Sequence, residues 1–392
     1  MISKYFYPLP TEKIAAYPAE ERSNSKLLVY TQGQLTDSAF NNICSFLPDH
    51  SLLIHNTSKV MKARLFLQRE TGGIMEVFCL KLETVHKGDA TVECLIRNVR
   101  KLRENEILFV KQEHKSTQVM LKAVFKGRKG ENSIVEFNWN PEEYDFYKIL
   151  DIFGEAPLPP YIKRKAEETD AQRYQTIYAK ENGSVAAPTA GLHFTKHIEE
   201  QLKAKQIETA GVVLHVGLGT FQPMKSDTLK EHIMHRESFS ISTKTLNLLL
   251  SKADKTNICV GTTSLRTIES LYIAAHFADE NTDMEHINIG QWDYLKINKF
   301  MTRQEAWSIL ISLAKKQKLD FVSGSTALMI TPDYSCKTSD LLITNFHQPQ
   351  STLLLIVASF IGEQWRELYE HALNSGYRFL SYGDACLFEN HT

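Results

Sequence analysis

Hydrophobic and polar positions change rhythm along this chain of 392 residues. Residues 1–62 mix short extended pieces with one helix, predicted over 36–47, where Phe40, Ile43, Cys44 and Leu47 recur at helical spacing. Residues 51–55 read as a short buried strand. Between 63 and 140 the texture is different: β-like runs at 63–68, 74–80, 91–96, 107–110, 118–125 and 133–137 are separated by Gly, Lys and Asn. In the fifth run Val119, Leu121, Ala123 and Phe125 alternate with Gln118 and Lys122, the pattern of a half-buried strand. Short strands in series with no helix between them predict a small antiparallel barrel. From about 141 helices and strands alternate, with helices expected over 142–151, 195–205, 243–252, 263–277, 302–317 and 360–373. Strands are expected over 209–215, 237–241, 257–261 and 340–344. The fold class is therefore α/β: a larger mixed-sheet α/β domain built from 1–62 and 151–392, with a small antiparallel β-barrel domain inserted at 63–150.

Composition adds little to this picture. Lys and Arg number 45 against 46 Asp and Glu, a net charge of −1, which neither points to a polyanionic partner nor excludes one bound by a local basic face. The six cysteines (Cys44, Cys79, Cys94, Cys259, Cys336, Cys386) form no C-x-x-C pair, so zinc-finger and redox spacings are absent and reduced thiols are expected. The opening Met1-Ile2-Ser3-Lys4-Tyr5 has no apolar run of signal-peptide length, and the most apolar stretch, 352–361, is too short to span a bilayer. A soluble cytoplasmic protein, with no membrane partner, is the expectation.

Candidate chemistry gathers where glycine or proline meets polar side chains beside apolar strands. In the run Ala156-Pro157-Leu158-Pro159-Pro160-Tyr161-Ile162-Lys163-Arg164, three prolines stiffen a loop that offers an aromatic ring and two cations. It reads either as a platform that stacks a base and grips a phosphate through Tyr161 and Arg164 or as an interdomain linker. Arg173-Tyr174 precedes the small, uncharged run Gly183–Thr195, broken by Pro188 and Gly191, which lets backbone approach a ligand while Thr189 and His193 supply directed hydrogen bonds. His193 reads equally well as a structural histidine. His215 opens a segment with Gly219 and Thr220, a G-x-G too short for a dinucleotide fingerprint. His232-x-x-His235 with Glu237 has metal-like spacing, but proton transfer by His215, His235 and Glu237 is the better functional reading. Gly261-Thr262-Thr263-Ser264 begins a helix after a strand, a geometry suited to a carboxylate or phosphate as well as to plain capping. Asn345, His347 and Asp384 sit at strand and loop ends. Basic clusters at Arg97–Arg103 and Lys126–Lys129 lie in the expected barrel, either as a solvated face or as an RNA-backbone contact.

Taken in order, these segments resemble one family: the S-adenosylmethionine:tRNA ribosyltransferase-isomerases of queuosine biosynthesis. The resemblance runs from Leu9-Pro10 to Ser381-Tyr382-Gly383-Asp384-Ala385 and is carried by Pro157–Ile162 with Arg173–Thr176, Gly183–Thr195, His215–Phe221, His232–Glu237, Gly261–Ser264 and Thr344–His347. It implies transfer and isomerisation of the ribosyl group of S-adenosylmethionine onto 7-aminomethyl-7-deazaguanine in a tRNA anticodon, with adenine and methionine released. No metal and no permanently bound cofactor are implied; S-adenosylmethionine is a substrate and tRNA the partner, with a monomer expected. The sulfonium acidifies the neighbouring C5′ protons, so a general base is required, and departure of adenine calls for hydrogen bonds or a proton at the base. His193, His215, His235 and Glu237 are the candidates for proton transfer. Asn56, Arg64, Pro159, Tyr161, Arg164, Arg173, Tyr174, Thr189, Gly191, Gly219, Thr220, Thr262, Thr263, Ser264, Asn345, His347 and Asp384 are the candidates for substrate binding.

The chain departs from the family pattern at three places. Asn56-Thr57-Ser58-Lys59 stands where Asn-Asp-Thr-Arg is usual, and Lys for Arg removes a bidentate partner. Gln348 and Gln350 replace a usual Leu and Lys. Residues 280–325 form an extra helical insertion, with Trp307, Leu310 and Ala314 on one face. These departures leave room for a paralogue with another acceptor, or for a catalytically silent RNA- or nucleoside-binding module.

Overall fold

The computed structural model describes residues 1–217, 219, 223–224 and 226–391. Strands β1 (Lys26–Thr31), β2 (Gln34–Ala39), β3 (Leu52–Asn56) and β4 (Ser58–Val60) come first. The helix expected over 36–47 is replaced by β2, antiparallel to β1, and a 3₁₀ segment at Phe40–Phe46. The helical spacing is met, since Phe40, Ile43 and Cys44 are buried, but it spans too few residues to outweigh the ladder that β1 offers to 34–39.

Six strands then close a barrel: β5 (Arg64–Arg69), β6 (Ile74–His86), β7 (Asp89–Ile96), β8 (Ile107–His114), β9 (Thr117–Lys129) and β10 (Asn132–Asn140). Neighbours run β5-β6-β7-β10-β9-β8, and pairing of β5 with β8 removes the free edges. Alternation is strict in β10, where Ser133, Val135, Phe137 and Trp139 point inward. Helix α1 (Phe146–Phe153), capped by the Asp145 carboxylate on the Lys148 N–H at 2.7 Å, adds Phe146, Ile149 and Leu150 to the barrel core. The two-residue β11 (Gly154–Glu155) pairs with β5.

The remaining elements are α2 (Asp170–Arg173), β12 (Glu181–Ser184), α3 (Lys196–Ala204), β13 (Glu208–Leu214), β14 (Glu237–Ser242), α4 (Thr243–Ser251), β15 (Asn257–Val260) and α5 (Gly261–Phe277). After them come β16 (Ile287–Ile289), α6 (Arg303–Lys316), β17 (Phe321–Thr326), β18 (Leu341–Asn345), α7 (Thr352–Ile361), α8 (Trp365–Asn374) and β19 (Ala385–Glu389). A ten-stranded sheet has the order β16-β17-β14-β13-β3-β15-β18-β19-β1-β2. Its centre, β13-β3-β15-β18, is parallel, and β3, β15 and β18 are buried throughout because helices cover both faces. Leu52, Ile54, Cys259 and Leu342 face one core with α5, α6, α7 and α8, while Leu53, Ile258 and Ile343 face the other with α3.

Two expectations change in detail. The helix expected over 360–373 starts later, as α8, while 360–361 close α7, a helix not expected from the sequence; the two are parted at Gly362, whose positive φ of 67° an L-residue resists. The 280–325 segment is not only helical. It lengthens the sheet with β16 and β17, and α6 buries Trp307, Leu310 and Ala314 in the main core. No helix is long and apolar enough to cross a membrane among the described residues.

Candidate functional site

The central parallel strands end on the same side, and a cavity of about 630 Å³, counting space open to solvent, lies there. This is where an α/β sheet leaves a crevice, since the loops beyond the strand ends diverge to opposite faces. Tyr161, Thr189, Thr262, Thr263, Asn345 and His347 line it together, from four separate segments of the sequence.

The turn from β15 into α5 shapes one wall. Gly261 has φ +86°, so the chain reverses sharply and the first residues of α5 face the cavity. A helix start carries N–H groups without intrahelical partners and the positive end of the helix dipole. The hydroxyl of Thr263, 9% exposed, is buried there with no hydrogen-bond partner. Ser264, by contrast, donates back to the Val260 carbonyl at 2.6 Å and is fully buried, which is a structural role.

The facing wall is a hydrogen-bonded chain. Thr189 Oγ1 donates to Asn345 Oδ1 at 2.8 Å, and Asn345 Nδ2 reaches His193 Nε2 at 3.1 Å and the Asp384 carbonyl at 3.3 Å. His193 Nε2 therefore accepts, and Nδ1–H donates to Ser25 Oγ at 2.7 Å. Burial lowers the His193 pKa to about 4, so the ring is neutral at neutral pH. His347 is held neutral too, with burial lowering its pKa to about 3; its Nε2 lies 2.9 Å from Thr344 Oγ1. Tyr161 completes the cavity with its hydroxyl 2.6 Å from Ser381 Oγ.

Most other candidates lie elsewhere, for identifiable reasons. None of the four residues nominated for proton transfer lines the cavity. His193 stands behind Asn345 and lines a second, smaller cleft. His215 follows β13 next to Val216, a cavity residue; its ring lies against Gly183 and its pKa is lowered by burial, with Glu181 opposing. His235 is exposed and packs on Gly219. Glu237 forms a buried ion pair with Arg266 of α5 and accepts the Gly217 N–H at 2.8 Å, an arrangement that keeps its carboxylate engaged inside the fold. Among the described residues no group of metal-ligating side chains comes together.

Asn56 ties β3 to β13, accepting from the N–H of Ser58 and Leu214 and donating to the Leu214 carbonyl. Arg64 pairs with Glu76 at 2.9 Å on the barrel. Arg164 is committed to Asp170 through two bonds of 2.6 and 2.8 Å, so it is not a free phosphate grip. Pro159 and Tyr174 are buried, the latter against Tyr382. Gly191 leaves room for the Tyr178 hydroxyl. Asp384 accepts the N–H of Lys26 and Arg378, which fixes the loop that orients Asn345. Arg173 lines the second cleft, and Thr220 lies outside the described residues. The unusual 56–59 stretch avoids the cavity as well: Ser58–Val60 is strand β4, paired through its backbone with β12. Sequence reasoning missed Gln348, Ser351 and Ser381 of the cavity wall and Arg22 and Arg378 of the cleft. Gln348, noted only as a departure from the family pattern, and Ser381, in the Ser-Tyr-Gly-Asp run, each carried a signal in the sequence.

Comparison with known proteins bears on the whole chain. A family model described as "Queuosine biosynthesis protein" matches residues 2–388. An S-adenosylmethionine:tRNA ribosyltransferase-isomerase from Trichlorobacter lovleyi is 36% identical, over 99% of this chain and 99% of its own. One from Thermotoga petrophila is also 36% identical, over 98% of this chain and 99% of its own. A solved S-adenosylmethionine tRNA ribosyltransferase from Thermotoga maritima is 26% identical with a TM-score of 0.47, covering 98% of this chain and 99% of that one. The chain belongs to the S-adenosylmethionine:tRNA ribosyltransferase-isomerase family of queuosine biosynthesis, a family of transferase-isomerase enzymes.

Proposed function

We propose that this enzyme moves the ribosyl group of S-adenosylmethionine onto 7-aminomethyl-7-deazaguanine in a tRNA anticodon, isomerising it to the epoxycyclopentanediol of epoxyqueuosine and releasing adenine and methionine. The observation that carries the reading is the cavity itself, where the start of α5 with Thr262 and Thr263 faces Thr189, Asn345 and His347. The α5 terminus suits the methionine carboxylate, which would give the buried Thr263 hydroxyl its missing partner. Tyr161 supplies an aromatic face for a base, and the Thr189–Asn345 chain supplies directed hydrogen bonds to a leaving adenine.

Two proton-transfer candidates change role in this reading. His193 becomes a positioning residue for Asn345, and Glu237 a structural anion for Arg266. His347 orients rather than accepts a proton, because burial makes its imidazolium costly. His215 is the proposed acceptor of the C5′ proton: it adjoins the cavity residue Val216, is half-buried with a ring Nδ1 that has no hydrogen-bond partner, and has Glu181 nearby to favour the cation. Gln348, in the cavity wall, is the departure that bears on acceptor choice.

The test is one incubation of the pure protein with S-adenosylmethionine and tRNA carrying 7-aminomethyl-7-deazaguanine. Free adenine is followed by chromatography and the digested nucleosides by mass spectrometry. Adenine together with an epoxyqueuosine nucleoside is the expected result. Adenine without that nucleoside points to another acceptor, and binding without adenine release to a silent module.

A further inference from the structure

The second cleft, of about 280 Å³ including open space, is lined by Arg22, Arg173 and Arg378 together with His193, Ser25 and Ser381. These arginines come from three distant parts of the sequence, and little in the fold balances their charge. The carboxylate in contact is Asp384, 3.5 Å from Arg378, and its oxygens already accept the backbone N–H groups of Lys26 and Arg378. The other partners are neutral carbonyls: Leu192 and Gln172 for Arg22, Ala19 and Glu20 for Arg173, Tyr17 for Arg378. The Nε–H of Arg173 is buried and has no acceptor. Burial, and then the neighbouring Arg173, weaken the hold of Arg22 on its proton. Three half-buried guanidiniums facing one cleft concentrate positive charge that an anion would offset, and guanidinium forks match phosphate oxygens geometrically.

We propose that this cleft binds one backbone phosphate of the acceptor RNA, next to the nucleotide whose base enters the cavity. The proposal rests on the reading above that the acceptor is an RNA. Its position supports that assignment. Ser381 lines both spaces, and Asn345 of the cavity wall touches His193 of the cleft, so the two ligands would be one wall apart. A nucleotide delivered to the cavity carries phosphates on either side of its sugar, and the cleft with its arginines adjoins the cavity through their shared wall. The barrel's basic residues are a weaker match, since Lys126 and Lys129 already contact Glu136, Glu83 and Glu93.

The experiment measures tRNA binding to the full-length wild type, Arg378→Gln and Arg378→Lys across a series of salt concentrations, with S-adenosylmethionine binding measured in parallel. Arg378→Gln should weaken tRNA binding about tenfold and lower the slope of log Kd against log salt by about one. Arg378→Lys should restore the slope, and S-adenosylmethionine affinity should stay within twofold in both. Inorganic phosphate should compete with tRNA on the wild type more strongly than on Arg378→Gln, a readout that needs no mutant activity. An unchanged salt slope with equal phosphate competition overturns the proposal. A loss confined to S-adenosylmethionine binding overturns it too, and assigns the cleft to the methionine carboxylate. Absence of adenine release by the wild type would sink the functional reading, while the salt slope would still report on the cleft.

Discussion

Glu237 shows how much a single residue's meaning depends on its partner. In sequence it is a carboxylate near two histidines; in the fold it is 4% exposed, paired with Arg266, itself 6% exposed. Removing one member of such a pair leaves an uncompensated charge in the core, at a cost of about 3–5 kcal/mol. Glu237→Gln should therefore lower urea-unfolding stability by that order, and Glu237→Leu with Arg266→Met should recover most of it. Full stability with lost turnover would return Glu237 to the chemistry. The buried histidines make a second expectation. His55 and His193 have pKa values lowered by burial to about 4, whereas the unfolded chain protonates them near 6.5. Between these values the unfolded state binds protons that the native state does not, so stability is complete above about pH 6.5 and falls as pH drops toward 4. Thermal melts over this range should show the fall, and His193→Gln should shallow it. An unaltered slope in that variant would mean His193 already carries a proton in the native state.

At the scale of elements, the start of α5 is the feature with the most consequence. A strand, a glycine in the left-handed region and a hydroxyl-rich first turn bring helix N–H groups to the cavity wall. The Thr263 hydroxyl forms no hydrogen bond there, so folding gains nothing from it. Thr263→Val should leave the melting temperature equal or higher while raising KM for S-adenosylmethionine about tenfold, close to 1.4 kcal/mol, with kcat changed less. A lower melting temperature with unchanged KM would assign the hydroxyl to structure. Elements also account for where sequence patterns misled. The 36–47 periodicity is real, but a neighbouring strand captured its first residues; β16 has three residues and pairs with β17, which in turn pairs with β14, so both depend on partners distant in sequence.

For the whole molecule, the barrel and the sheet keep separate cores. Phe137, Leu121 and Val77 belong to the barrel's core, and the central strands to two others. Phe137→Ala should cost about 3–5 kcal/mol locally. Amide exchange should then speed up across residues 64–140 while β3, β15 and β18 keep their protection; acceleration in both regions would show the two parts unfold as one. A net charge of −1 at this scale conceals the arginine cleft, because long-range charge averages out while contact-range charge does not.

The alternating barrel strands, the central strands of the sheet, most of the helices and the glycine turn at Gly261 were legible in the chain, because each depends on residues close in sequence. So was the family, because its motifs are local runs in a set order. Which of those motifs meet at a cavity was not legible. Thr189, Thr262 and Asn345 are brought together only by strand order, while Asn56, Arg164 and Asp384 spend their polar groups inside the fold. The convergence of Arg22, Arg173 and Arg378 has no local pattern at all, since their separation in sequence is closed by tertiary packing alone.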